Sequence, residues 1–331
     1  MWTFTLPVDT EKNKGDTGCS DRPCTKHLVT RMIYLHIGIN KTGSSSIQNA
    51  LHDTRQALRR DRVLYPETGL GTPNEGHGYH YLLSKKLGFA NFKTDPDECL
   101  ANAETLRAEL DREIAETRAR SVIFSSEFFT LRRNMEPVRR FLDGLDVRVV
   151  VYLRRHDLWY PSLYSQALKS VVNPRWEPGL EGYVEWARKS KAGYPSFGKM
   201  LDAWSDVVGA GNIRVRAFEK ESMKHDLIED FFDLCGIRVP ACLAGRPAPT
   251  INKAPDAEKL AALEEVKRTS VSEAAKRLVV NAFLSSKSTG GQLQMSPELQ
   301  QEILELHSED YARIARVYLG NRSGVLFRQP I

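Results

Sequence analysis

Apolar positions along this chain fall into two repeating patterns. Short runs rich in β-branched and aromatic residues read as strands: "MIYLHIG" (32–38), "RVLYP" (62–66), "SVIF" (121–124), "DVRVVVYL" (146–153) and "NIRVRAF" (212–218). Between them apolar residues recur at helical spacing, as with Ile47, Leu51 and Leu58 in "SSSIQNALHDTRQALRR". "YHYLLSKKLGF", "DECLANAETLRAELDREIAETRAR", a stretch around Pro137, "HDLWYPSLYSQALKS" and "SMKHDLIEDFFDLCG" read as helices, and so does nearly everything beyond residue 253. Strands separated by long helical crossovers imply a parallel sheet covered on both faces. The expectation is an α/β fold, its sheet flanked by helices, with a helical C-terminal cap. No repeat or linker divides residues 32–331, which read as one domain. Residues 1–31 are polar and aperiodic, and read as a disordered extension or as upstream sequence taken in by an early start codon.

Composition narrows the function. Hydrophobic content of 41% with 27% charged residues is ordinary for a soluble globular protein. A net charge of +5 permits an anionic substrate, but no basic stripe interleaved with aromatics points to nucleic acid. Five scattered cysteines (Cys19, Cys24, Cys99, Cys235 and Cys242) make neither a disulfide framework nor a zinc set, which fits a reducing compartment. No apolar run approaches a membrane span, and the first residues do not read as a secretory signal, so the expected location is cytoplasmic.

The first strand runs directly into "HIGINKTGSSSIQ" (36–48) and a helix. A turn from a buried strand into a helix exposes backbone N–H groups where the helix dipole also favours an anion. Gly43 allows close approach of a ligand, and Ser44, Ser45 and Ser46 add hydroxyls. Nucleoside-triphosphate loops read G-x-x-x-x-G-K-[ST]. Here Gly38 and Gly43 keep that spacing, yet Ser44 stands in the lysine's place and Lys41 precedes Gly43 by two residues. No Asp closely follows "SVIF" or "DVRVVVYL" as a convincing magnesium partner. The strand, loop and helix are thus P-loop-like, and the loop is expected to hold a phosphate-like group without a magnesium nucleotide.

"KTGSSS" after a strand resembles the 5′-phosphosulfate loop of sulfotransferases that use 3′-phosphoadenosine 5′-phosphosulfate (PAPS): Lys, a small residue, Gly, then Ser or Thr. The resemblance implies that Lys41, Thr42, Gly43, Ser44, Ser45 and Ser46 bind the donor, with Lys41 at the transferred group. "VVVYLRRHDLWYPSLYSQ" fits the same pattern, in which an Arg after a strand and a Ser eight residues on bind the 3′-phosphate. Arg154 and Ser162 have that spacing, and neighbouring Arg155 remains an alternative. An arginine fork suits a phosphate dianion. "RVRAFEKESMKHDLIEDFFDLCGI" resembles a scaffold segment, so the likeness spans about residues 32–237. Two departures stand out. The Arg-Lys-Gly loop of cytosolic small-molecule members gives way to "INKAPDAEKL", and their adenine-stacking Trp is Ile47 here. The second departure points to the bacterial carbohydrate-modifying branch.

Sulfuryl transfer to a hydroxyl needs a group to take the acceptor's proton. "SVIFSSEFF" sets Glu127 at a strand end between apolar residues that would raise its pKa, and family members place a base at such a position. The alternative is a carboxylate that merely caps a short helix. His77 and His80 in "GHGYHYLL" are weaker candidates for acceptor contact, and His36 reads as packed within its strand. Trp176, Tyr183, Trp186 and Tyr194 would stack on sugar faces or pack the core. The expected function is PAPS-dependent sulfation of a hydroxyl acceptor, first a carbohydrate, with no metal. The rivals are a P-loop kinase or NTPase, and a non-catalytic nucleotide-binding module on the same fold.

Overall fold

The computed structural model describes residues 31–73, 77–89, 94–130, 134–170, 173–189, 196–223, 225–245, 257–285, 291 and 293–328. The proposed leader up to residue 30, Tyr194 and most of "INKAPDAEKL" lie outside them.

Strand β1 (Met32–Ile37) is followed by α1 (Ser44–Asp53), α2 (Arg55–Arg60) and the two-residue β2 (Val63–Leu64). Next come α3 (Tyr81–Lys86), α4 (Pro96–Thr117), β3 (Ser121–Ser126), α5 (Glu136–Leu142), β4 (Asp146–Leu153) and α6 (His156–Ser170). Then follow α7 (Gly179–Lys189), α8 (Phe197–Val208), β5 (Ile213–Ala217) and α9 (Leu227–Cys235). The C-terminal part is α10 (Ala257–Arg268), α11 (Glu273–Ser285) and α12 (Pro297–Leu319).

All pairings in the sheet are parallel, in the order β2-β3-β1-β4-β5. Strand β1 is central, and its residues from Ile33 to Ile37 are buried, as expected for a strand covered on both faces. Ile33, Leu35, Val122, Phe124, Val149 and Val151 join one core with residues of α4 to α8 and of α12. Tyr34, Ile123, Val150 and Tyr152 face the other way, onto Ile47 and Leu51 of α1 and Phe231 and Phe232 of α9. This two-residue alternation is the strand's own geometry.

Several boundaries differ from the sequence expectation for local reasons. Strand β3 continues through Ser125 and Ser126, which pair with His36 and Ile37. Helix α9 starts at Leu227, later than "SMKHD" implies, because the Asp226 carboxylate accepts the N–H groups of Ile228 and Glu229 at 2.9 Å. The first helix divides at Thr54, whose hydroxyl donates to Ala50 O at 2.6 Å. The expected C-terminal cap is continuous with the main core. Ile303, Ile314 and Ala315 of α12 are buried there, and Tyr311 Oη lies 3.1 Å from the His156 N–H.

With β3 and β4 on either side of β1, three connections open at the same end of the sheet. They are the loop 38–43, the turn at Glu127 and the turn at Arg154. Open parallel sheets bind ligands at this carboxyl end.

Candidate active site

Backbone conformation shapes the loop between β1 and α1. Gly43 has φ 78°, a torsion that favours glycine, and a Cβ there would lie 2.2 Å from Leu227 Cδ2, so that side chain would have to shift. Lys41 also holds a left-handed backbone, with φ 69°, an uncommon state for a residue with a side chain. Thr42 and Ser44 are buried, and both hydroxyls donate to Ile39 O, at 2.6 and 3.1 Å. These two hydroxyls brace the loop. The Ser46 N–H reaches back to Gly43 O at 2.9 Å, and earlier N–H groups of α1 have no preceding helical carbonyl. Helix α1 has no side-chain cap hydrogen bond and no acid in its own first turn that would oppose an anion there. Ser45 is exposed and Ser46 partly so.

Lys41 is held between the loop and α6. Its Nζ donates to Gln166 Oε1 at 3.0 Å, and its carbonyl accepts from Arg154 Nη1, also at 3.0 Å. Burial lowers the Lys41 pKa; Lys169 and Arg154 lower it further, and Glu127 partly offsets them. Burial likewise lowers the Arg154 pKa from its usual value. Ser162, Gln166 and Lys169 are spaced four and three residues apart, which sets them along one stripe of α6. Ser162 Oγ donates to Leu158 O at 3.2 Å.

The two arginines have different partners. Arg155 makes a bidentate pair with Asp157 (Nε–Oδ1 2.8 Å, Nη2–Oδ2 2.9 Å), and both side chains are buried. Gln300 of α12 donates to the same carboxylate at 2.7 Å. Arg155 is therefore committed to the fold, and Arg154 is the arginine that faces the loop.

Glu127 follows β3 directly and begins a 3₁₀ turn, Glu127–Thr130. Burial raises its pKa, with the Lys41 ammonium acting against the shift. The segment 77–81 is fastened alongside: His80 N–H donates to Ser125 O at 2.8 Å, and Ser125 N–H to His80 Nδ1 at 3.1 Å. This brings Tyr79 and Tyr81 beside the strand end. Their rings are 6.2 Å apart, and Tyr81 meets Phe128 at 5.2 Å. The Tyr79 pKa is raised by burial first and by the Glu127 charge second.

The histidines take other roles. His80 is fully buried, with its Nε2 3.1 Å from Pro66 O and a pKa lowered to about 3 by burial. With both ring nitrogens engaged, it is a packed residue and is not placed to touch an acceptor. His77 is exposed, at the edge of the His52 ring, with centroids 4.9 Å apart. His36 is buried beneath the loop and bonded to Ser125 Oγ at 2.8 Å. Trp176 and Tyr183 belong to the core, where the Trp176 indole donates to Glu264 at 2.8 Å, and Trp186 packs against them. For these three the sugar-stacking alternative gives way to packing. Among the described residues, no three His, Cys, Asp or Glu side chains gather as a metal site, and no helix is long and apolar enough to cross a membrane.

Sequence reading missed Gln166, Lys169, Tyr79 and Tyr81. Counting four and seven residues on from Ser162 along its helix would have reached the first two. The tyrosines carried no signal, because the pairing of residue 80 with Ser125 is long-range.

No family model matches the chain. Over 123 residues, 36% of its length, the chain is 33% identical to an uncharacterized protein of Archaeoglobus fulgidus, and the match spans 31% of that protein's length. Among solved structures it is similar to mouse sulfotransferase SULT7A1 complexed with PAP (TM-score 0.36, 14% identity, 89% of this chain and 88% of that one). It is also similar to the sulfotransferase domain from the curacin biosynthetic pathway (TM-score 0.35, 9% identity, 78% and 99%). A third similarity is to the PezAT toxin-antitoxin system of Streptococcus pneumoniae (TM-score 0.31, 11% identity, 76% and 88%).

Proposed function

We propose that this protein moves a sulfuryl group from PAPS to a hydroxyl of an acceptor, a carbohydrate in the first instance. The observation that carries the reading is the convergence of Lys41, Arg154 and Glu127 from three adjacent strand ends, with Arg154 bonded to the Lys41 carbonyl. A kinase or NTPase loop would put its lysine after Gly43, where Ser44 is buried and braces the loop.

The roles follow from charge and position. The N-terminal turn of α1, with Ser45 and Ser46, suits the donor's 5′-phosphate. Arg154 has further N–H donors besides the one on Lys41 O, and with Ser162 it would take the 3′-phosphate. Glu127 accepts the proton of the acceptor hydroxyl. The acceptor oxygen then bonds to sulfur as the bond from sulfur to the bridging oxygen breaks, and 3′,5′-bisphosphoadenosine (PAP) leaves. Lys41 steadies the negative charge that grows on that bridging oxygen.

The test is incubation of the protein with PAPS and a panel of saccharides, following PAP release and the mass of the sugars. PAP formed together with a sugar heavier by one SO₃ group supports the reading. Neither product, under conditions where PAPS binds, would leave a non-catalytic binding module.

A further inference from the structure

Lys169 is a cation without an assigned task. It lies near the C-terminal end of α6, half-buried, one helical turn beyond the Gln166 that receives the Lys41 ammonium. Among the described residues no carboxylate pairs with it. Its charge reaches Lys41, where it is the largest electrostatic influence, ahead of Glu127 and Arg154. Among the groups that act on the Lys41 ammonium, Lys169 and Arg154 are cations and Glu127 is the one carboxylate.

The order along α6 assigns the excess. Ser162, Gln166 and Lys169 follow one stripe, and at about 1.5 Å per residue Lys169 lies roughly 10 Å beyond Ser162. On the function proposed above, Ser162 marks the 3′-phosphate and Gln166, through Lys41, marks the group in transfer. In-line transfer sets the acceptor across the sulfuryl group from the donor's 5′-phosphate, and Lys169, one turn beyond Gln166 and away from Ser162, is assigned to that acceptor side.

We propose that Lys169 recognises an anionic group on the acceptor, making the preferred substrates hydroxyl compounds that carry a carboxylate or sulfate ester near the reacting hydroxyl. A partly desolvated ammonium is costly without a counter-charge, and an acceptor of this class supplies one. A neutral sugar does not. The inference rests on the reading of the site as a sulfotransferase centre, and its test separates the two.

Methyl glucuronide, methyl glucoside 6-sulfate and methyl glucoside are titrated into the protein, with and without saturating PAP. PAP affinity is measured alongside, for the unmodified protein and for Lys169→Ala and Lys169→Arg. The unmodified protein should bind at least one charged sugar more tightly than the neutral one. Lys169→Ala should cut that preference about tenfold or more, and Lys169→Arg should restore most of it. Preference for the glucuronide over the sulfate identifies a carboxylate as the recognised group, and the reverse identifies a sulfate ester. No preference for either charged sugar overturns the proposal, and so does a Lys169→Ala variant that loses PAP affinity as steeply as sugar affinity. If PAP does not bind the unmodified protein, the sulfotransferase reading falls, and the comparison without nucleotide still decides the role of Lys169.

Discussion

The Arg154 guanidinium donates to the main-chain oxygen of Lys41 at 3.0 Å, joining the turn after β4 to the loop after β1. Lys41 sits there in a left-handed backbone state, so this bond helps to hold a conformation that the residue would not prefer alone. On the proposed function the arginine would thus serve the donor twice, as a cation and as a brace for the lysine.

Arg154→Ala is expected to weaken PAP binding by about 2 kcal/mol or more, the scale of a lost charge-assisted contact. 5′-AMP, which lacks the 3′-phosphate, should lose much less. Calorimetric titration of both nucleotides into both proteins checks this, and equal losses would detach Arg154 from the 3′-phosphate.

Lys41→Ala should reduce turnover far more than donor affinity, because a charge that meets the leaving oxygen acts mainly on the transition state. Steady-state rates together with PAP affinity separate the two effects. EDTA should leave the unmodified rate unaltered, whereas a loss reversed by magnesium would favour a kinase-type site.

The pH profile of kcat/KM should be narrower than ordinary side chains would give. Glu127 works ionised, and its pKa is raised above 4.5, so the acid limb moves up. Lys41 works protonated, and its pKa is lowered below 10.5, so the alkaline limb moves down. Glu127→Gln should remove the acid limb and lower turnover about 10²- to 10⁴-fold. Lys169→Ala should shift the alkaline limb upward, since the Lys169 charge opposes protonation of Lys41.

Glu127→Gln should also melt at a higher temperature at neutral pH. A carboxyl whose pKa rises on folding adds stability when protonated and loses it as pH climbs through the folded value, so the ionised form burdens the native state. The advantage should vanish well below pH 4.5, where both states hold the proton. Thermal melts of the two proteins across that range decide it.

Much of the fold was legible in the sequence. "DVRVVVYL" and "MIYLHIG" are rich in β-branched and other apolar residues, and the structure makes them adjacent parallel strands. The loop 38–43 and the turn at Arg154 were readable because each follows its strand directly. Pairing was not readable: the partnership of His80 with Ser125 helps to bring Tyr79 near Glu127, and a spacing rule cannot reveal it. Spacing favoured Arg154, but the sequence did not show what occupies Arg155. That depended on Asp157, two residues on, and on Gln300, 145 positions beyond Arg155 and from the far end of the chain.

That buried pair gives its own prediction. Arg155→Ala leaves the Asp157 carboxylate buried without its cation, which costs about 3–5 kcal/mol of stability. Denaturant unfolding measures it, and a loss under 1 kcal/mol would mean that Asp157 finds another partner or takes up a proton.

The most direct measurement is competitive calorimetry of PAP, 5′-AMP and ATP–magnesium on the unmodified protein. The two anion sites proposed at adjacent strand ends predict that PAP binds tightest by a wide margin, with magnesium adding nothing to its affinity. Equal affinity for PAP and 5′-AMP, or tightest binding of ATP only with magnesium, would contradict the account.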